Sequence, residues 1–289
     1  MKSLQNILVT GANGQLGMEF RSISERYPGY HFLFVSKDDL PIHDKDALTD
    51  FFSANHISIC INCAAYTAVD KAETEKDIAF DINGYAVGAL AAICREHAAR
   101  FIHFSTDYVF NGHSSVPYKE TDITDPVNAY GASKLLGEQE AQKNNPDVLI
   151  IRTSWVYSHF GKNFVKTMLR LMNEKETISV VNDQVGCPTY AGDLASAVME
   201  MISKYENPLP GIYHYCNKGI ISWYEFALAI KEISGSDCKV DPISTLQYPT
   251  PAKRPHFSVL DTEKFTKTFN IVMPYWKNSL EKCISKMNQ

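Results

Sequence analysis

Five continuous apolar runs, each followed by a segment of helical spacing, constrain this chain more than any other feature. "NILVTG", "HFLFVS", "ISICINCAA", "RFIHFST" and "DVLIIRTSWVY" are rich in Val, Ile, Leu and Phe. They lack the polar alternation of a strand with one wet face. Runs of this kind belong in a parallel sheet covered by helices on both sides. The helices are supplied by "QLGMEFRSISERY", "DKDALTDFFSAN", a long stretch from about 77 to 99, and the segment around Tyr130. The expectation is a doubly wound α/β sheet, which binds its ligand beyond the carboxyl ends of the strands. Residues just after each strand are therefore the ones to inspect.

Beyond Trp155 the alternation loosens. Helices are expected in "NFVKTMLRLMNE", from about 192 to 204 and in "SWYEFALAIKEIS", with strands near "ISVV" and "GIYHYC". Prolines crowd "DPISTLQYPTPAKRP", which reads as an ordered loop. This C-terminal portion is expected to form a smaller lobe closing over the sheet.

Composition excludes several partner classes. With 45% hydrophobic and 21% charged residues, 289 residues suffice for a full core without staples. The net charge of -5 is interspersed, so no basic stripe exists for nucleic acid or an anionic membrane. The seven cysteines are odd in number, and Cys60 and Cys63 fall in an apolar run, where thiols serve as small core residues. The chain enters a strand at once, so no signal peptide is expected, and its apolar runs read as far shorter than a membrane span. A reduced, cytoplasmic protein is expected. The nine histidines lack the spacing of a metal-ligand pair.

Two motifs carry chemistry. "TGANGQLG" places Gly11, Gly14 and Gly17 between the first strand and first helix, with Asn13, Gln15 and Leu16 completing the turn. Glycine is needed where the chain reverses, where backbone N–H groups approach a pyrophosphate, and where helix packs on strand. The spacing is G-x-x-G-x-x-G rather than the G-x-G-x-x-G of the dinucleotide fingerprint. "DPVNAYGASKLLGE" puts Tyr130 and Lys134 four residues apart, a phenol and an ammonium on one helix face.

Glycine turn and Tyr-x-x-x-Lys pair together resemble the short-chain dehydrogenase/reductase superfamily, in its extended, sugar-nucleotide branch. "NCAAYTAVDKAE", "FSTDYVFNG", "PVNAYGASKLLGE", "IIRTSWVY", "NDQVGCPTYAGDLA" and "TPAKRP" occur in order. That set resembles the dTDP-4-dehydrorhamnose reductases nearly end to end. A non-catalytic relative, the regulatory subunit of methionine adenosyltransferase, is similar over the same span, but Thr106, Tyr130 and Lys134 are intact here. Asp107 is followed by Tyr108, unlike the acidic residues that dehydratases of the superfamily carry after this threonine.

The resemblance implies a Rossmann-like NAD(P)-binding domain over 1–155, to which about 176–205 return. Residues 156–175 and 206–289 would form the substrate lobe. It implies reduction of the C4 ketone of dTDP-4-dehydro-L-rhamnose, for rhamnose-containing cell-surface polysaccharide. NAD(P)H would supply the hydride and Tyr130 the proton. Lys134 would lower the phenol's pKa and hold the nicotinamide ribose. Thr106 would bond the keto oxygen, with Ser105 the competing hydroxyl if the register slips by one. Ala64, Ala65, Tyr66 and Thr67 would flank the cofactor, with Asn83 joining through its helix. Asp107, Trp155, Asn163, Gln184 and Arg254 would hold the sugar nucleotide, with Pro188 and Thr189 weaker candidates. Ser36 stands where NAD-selective folds place an acid, and Lys37 follows, so NADPH is favoured. Some members form a magnesium-bridged homodimer; Glu19 matches one such position but Gly192 stands at another, so no metal is expected.

Overall fold

A computed structural model describes residues 4–205 and 209–287. The five apolar runs become β1 (Gln5–Thr10), β2 (Tyr30–Val35), β3 (Ile57–Asn62), β4 (Arg100–Thr106) and β5 (Leu149–Thr153) of one parallel sheet. Their order is β5-β4-β3-β1-β2, so the chain reverses direction across the sheet between β1 and β3. A crevice opens at that reversal, beyond the carboxyl ends.

Both faces are covered. α1 (Gln15–Ile23) and the helix Ala191–Lys204 bury Phe20, Ile23, Leu194 and Val198 on one side. α2 (Lys45–Asn55) and the helices Ala86–Glu96 and Ala129–Asn144 bury Leu48, Phe52, Val87, Leu90 and Ala141 on the other. The stretch Lys76–Glu96 is long and apolar enough to cross a membrane, contrary to the reading of the apolar runs, but most of it is packed inside the protein. Its composition is that of a core helix.

The expected domain partition needs two corrections. The strand Gly211–His214, placed in the lobe by sequence, pairs in parallel with β5 as the sixth strand of the main sheet. The helix Glu263–Phe269 packs with it, Phe265 and Phe269 lying against Tyr213. Conversely, Thr177–Val181 does not return to the sheet. It pairs with Lys239–Ile243 inside the lobe, whose core is Phe226, Ile230, Trp276 and Leu280. The last three residues of Lys239–Ile243 lie in the segment expected to be a loop; Pro242 is tolerated because a two-stranded sheet is all edge.

Two local devices set the Tyr130 helix in place. Asn128 caps it, its Oδ1 accepting from the Gly131 N–H at 2.7 Å, and Glu73 Oε1 accepts from the Ala129 N–H at 2.8 Å. Gly137 lies against the carbonyl of Asn83, where a Cβ would come within 2.0 Å of that oxygen. Asn83 itself sits in a π-helical turn, Asp81–Tyr85, that interrupts the neighbouring helix. Only glycine permits that approach, and it fixes the depth at which Tyr130 and Lys134 stand.

Candidate active site

β1, β3, β4 and β5 all end at a cavity of about 900 Å³. Its floor at one end is the glycine turn: Gly11, Asn13, Gly14, Gln15 and Leu16 line it, and Gly17 packs beneath. Gly11 has φ 63, in the left-handed region, and a Cβ there would fall 2.6 Å from the Ala64 nitrogen. Strand end and turn thus meet backbone to backbone, leaving the N-terminus of α1 open for a phosphate. Ala64, Ala65 and Thr67 line the adjoining wall. A nucleotide diphosphate fits this glycine cradle.

At the end of β2, Ser36 and Lys37 reach the rim. β2 stops at Val35, so Ser36 stands at the strand end and Asp38 lies in the turn beyond. Ser36 donates from its N–H at 2.9 Å and from Oγ at 2.6 Å to Asp39 Oδ2, bonds that hold the Asp39 carboxyl below its usual range.

At the other end stand Thr106, Asp107, Tyr130 and Lys134. The Tyr108 N–H donates to Thr106 Oγ1 at 3.2 Å, and that hydroxyl donates to Asp107 Oδ1 at 3.0 Å. Burial pushes the Asp107 carboxyl up to about 7, with hydroxyl bonds from Ser258 and Thr106 opposing. Burial, then the charge of Asp107, push the Tyr130 phenol up to about 12. Lys134, pushed down by burial to about 8, is held by the Phe104 carbonyl at 2.7 Å and by His103 at 3.3 Å. The expected lowering of the phenol's pKa by Lys134 is not among the causes acting on Tyr130, which are burial and Asp107, opposed by the Thr106 hydroxyl. Ser105, the competing hydroxyl, also lines the cavity but donates to buried Glu138.

Trp155 and Asn163 complete the cavity. Trp155 has φ 48, rare for a large side chain, and stacks on Trp223 with ring centroids 3.6 Å apart. One indole face is thus already covered. Asn163 Nδ2 donates to Gln15 Oε1 at 2.9 Å, tying the lobe to the glycine turn.

Several expected residues lie elsewhere. Tyr66 does not line the cavity, because its hydroxyl donates to Glu75 at 2.6 Å. Asn83 is fully buried and staples the Tyr66 backbone to Ser133. Gln184 donates to Thr245 at 3.1 Å, and Thr189 accepts from Thr153 at 3.1 Å. Arg254 is not in the cavity lining itself; it forms a two-pronged pair with Asp70 at 3.1 and 3.0 Å, beside Tyr108, which does line the cavity. Glu19 is buried, accepting from Ser158 at 2.7 Å beside His159. Sequence reasoning missed Leu40, Pro41, Ile42 and His43, which line the cavity after β2, and Lys162 beside Gly161. The strand-end rule reaches the first group; for Lys162 no local signal exists.

A glycine cradle after the first strand, with a hydroxyl on β4 and a Tyr–Lys helix facing it across one cavity, is the Rossmann-like site of an extended short-chain dehydrogenase/reductase. Residues 5–289 match the family described as RmlD substrate binding domain, and the chain belongs to that family. It is 42% identical over 284 residues to the spore coat polysaccharide biosynthesis protein SpsK of Bacillus subtilis, covering 98% of each chain. A dTDP-4-dehydrorhamnose reductase from Clostridium acetobutylicum superposes with TM-score 0.92 at 40% identity, covering 99% of this chain and 100% of that one. Another from Bacillus anthracis, in complex with NADP, gives TM-score 0.93 at 37% identity over 98% and 99%.

Proposed function

We propose that this protein reduces the C4 keto group of dTDP-4-dehydro-L-rhamnose with NADPH or NADH, giving dTDP-L-rhamnose. The observation that carries the reading is the convergence of Thr106, Tyr130 and Lys134 on one cavity whose other end is the glycine cradle. A ketone needs a hydride at carbon and a proton at oxygen. The reduced nicotinamide, when bound, supplies the hydride. Tyr130 supplies the proton, and Thr106 bonds the keto oxygen, aligning it with the phenol. Lys134 holds the nicotinamide ribose and, once charged, stabilises the phenolate that proton transfer leaves behind.

The part of the Trp155 indole that lines the cavity suits the apolar face of a deoxysugar. The sheet domain carries the cofactor, and the lobe built around Thr177–Val181 and Lys239–Ile243 carries the nucleotide. Both reactants are cytoplasmic metabolites, which fits seven free thiols. Loss of NADPH absorbance on adding dTDP-4-dehydro-L-rhamnose tests the reading. Tight NADPH binding with no absorbance loss would replace it with a non-catalytic, nucleotide-sensing role.

A further inference from the structure

Behind Lys134 runs a line of buried polar side chains that the proposed chemistry leaves unused. Thr10 Oγ1 donates to Asn62 Oδ1 at 2.6 Å, and the Ala64 N–H donates to the same oxygen at 3.2 Å. These two donors fix which end of the Asn62 amide is oxygen. Its Nδ2 therefore faces His103 Nδ1, at 3.0 Å. An amide nitrogen only donates, so Nδ1 must be bare, and a neutral ring carries its single proton on Nε2. His103 is fully buried, and burial holds it well below the usual histidine range, so the ring is neutral whether or not Lys134 is charged.

Nε2 lies 3.3 Å from Lys134 Nζ, whose other partner is the Phe104 carbonyl at 2.7 Å. An ammonium has three donors and no lone pair. Against Nε2–H it presents N–H to N–H, and no bond forms between the two buried side chains. An amine donates to the Phe104 carbonyl and accepts from Nε2–H, satisfying every group in the line.

We propose that His103 is a positioning residue that presents an N–H to Lys134 Nζ and so favours the amine in the ligand-free protein, coupling cofactor binding to proton uptake. The inference rests on the reading of Lys134 as the residue that holds the cofactor. The other titratable groups around Lys134 are Tyr130 and Glu138 on its own helix, Asp107 after β4, Cys63 after β3 and Arg152 on β5. Of these Glu138 favours the ammonium, but its carboxylate is already matched by Arg152 at 2.7 Å. The downward displacement of Lys134 by burial acts in the same direction as His103. On charging, Nζ takes one proton from solvent. The ring proton moves from Nε2 to Nδ1, with no net gain at His103, and the bond from Asn62 is given up.

Two measurements decide it. Two-bond ¹⁵N–¹H correlation spectra of the ligand-free protein should show His103 as the Nε2–H tautomer; an Nδ1–H or cationic ring overturns the proposal. Calorimetry of NADPH binding in buffers of differing ionisation enthalpy, from about pH 7 to 9, should show uptake rising toward roughly one proton, since an ordinary lysine stays charged throughout. His103→Gln can turn a carbonyl toward Nζ, and its uptake over the same range should fall clearly below that of the wild type, with the part due to burial remaining. Binding without uptake in the wild type, or equal uptake in His103→Gln, overturns the coupling. If NADPH does not bind the wild type at all, the cofactor reading fails instead, and the tautomer alone decides the role of His103.

Discussion

Glu138→Ala should unfold this protein more readily than any surface change, for a reason visible in one buried cluster. Glu138 and Arg152 are 1% and 2% exposed, joined by Arg152 Nε to Oε1 at 2.9 Å and NH2 to Oε2 at 2.7 Å. The remaining surroundings of the guanidinium are the Phe110 ring at 5.1 Å and His214 at 3.5 Å. His214 is pushed down to about 3 by burial and by Arg152, so it provides no negative charge and no second cation. Deleting the carboxylate strands a buried cation, which costs about 3–5 kcal/mol. For a chain of this size that is a fall in Tm of roughly 6–20 °C. Pairing Glu138→Leu with Arg152→Met removes both charges and should recover most of the loss, because a buried pair gains little over apolar packing. Urea and thermal unfolding of both variants measure this. A single-variant loss below about 1 kcal/mol, or a double variant as unstable as the single one, would refute the reasoning. Ser105 also bonds Glu138, next to Thr106, so the single variant should lose turnover beyond its loss of folded protein.

Tyr130→Phe should abolish turnover while leaving NADPH affinity nearly unchanged, whereas Lys134→Ala should damage both; full activity in Tyr130→Phe refutes the proton-donor role. Asp107 has a folded pKa of about 7 against an ordinary 3.8, so the folded state binds the proton more tightly than the unfolded chain. Its stability contribution is therefore favourable at low pH and is lost as pH rises from about 4 to 7. Asp107→Asn should raise Tm at about pH 8 and have little effect at about pH 4; the opposite trend would refute the burial argument. Lys37→Ala should lower kcat/KM with NADPH about 10-fold, one charge-assisted phosphate contact, and leave NADH unchanged; an NADH preference untouched by the substitution would refute it. Trp155→Ala should raise KM for the sugar nucleotide and also lower Tm, because the indole stacks on Trp223; unchanged Tm would refute the stack's structural role.

The sequence by itself determined the five strands, the glycine turn and the Tyr130–Lys134 face. Each rests on local physics: apolar runs for strands buried on both sides, backbone sterics at Gly11, helical spacing of four residues. Since a doubly wound sheet gathers its strand ends at one crevice, local signals sufficed to bring Thr106, Tyr130 and Lys134 near the cradle. Whatever depended on pairing between distant segments was decided by tertiary structure. Gly211–His214 and "ISVV" look alike as short apolar strands, yet one joins β5 and the other joins Lys239–Ile243, because only the assembled edges determine which partner is free. Gln184, Tyr66 and Arg254 carried plausible chemistry but found partners in Thr245, Glu75 and Asp70, contacts with no periodicity to read. The protonation of the site is the deepest case. A histidine in the middle of β4 has no sequence signature, and its meaning comes from Thr10, Asn62 and Lys134 meeting it in the core, where every donor must find an acceptor.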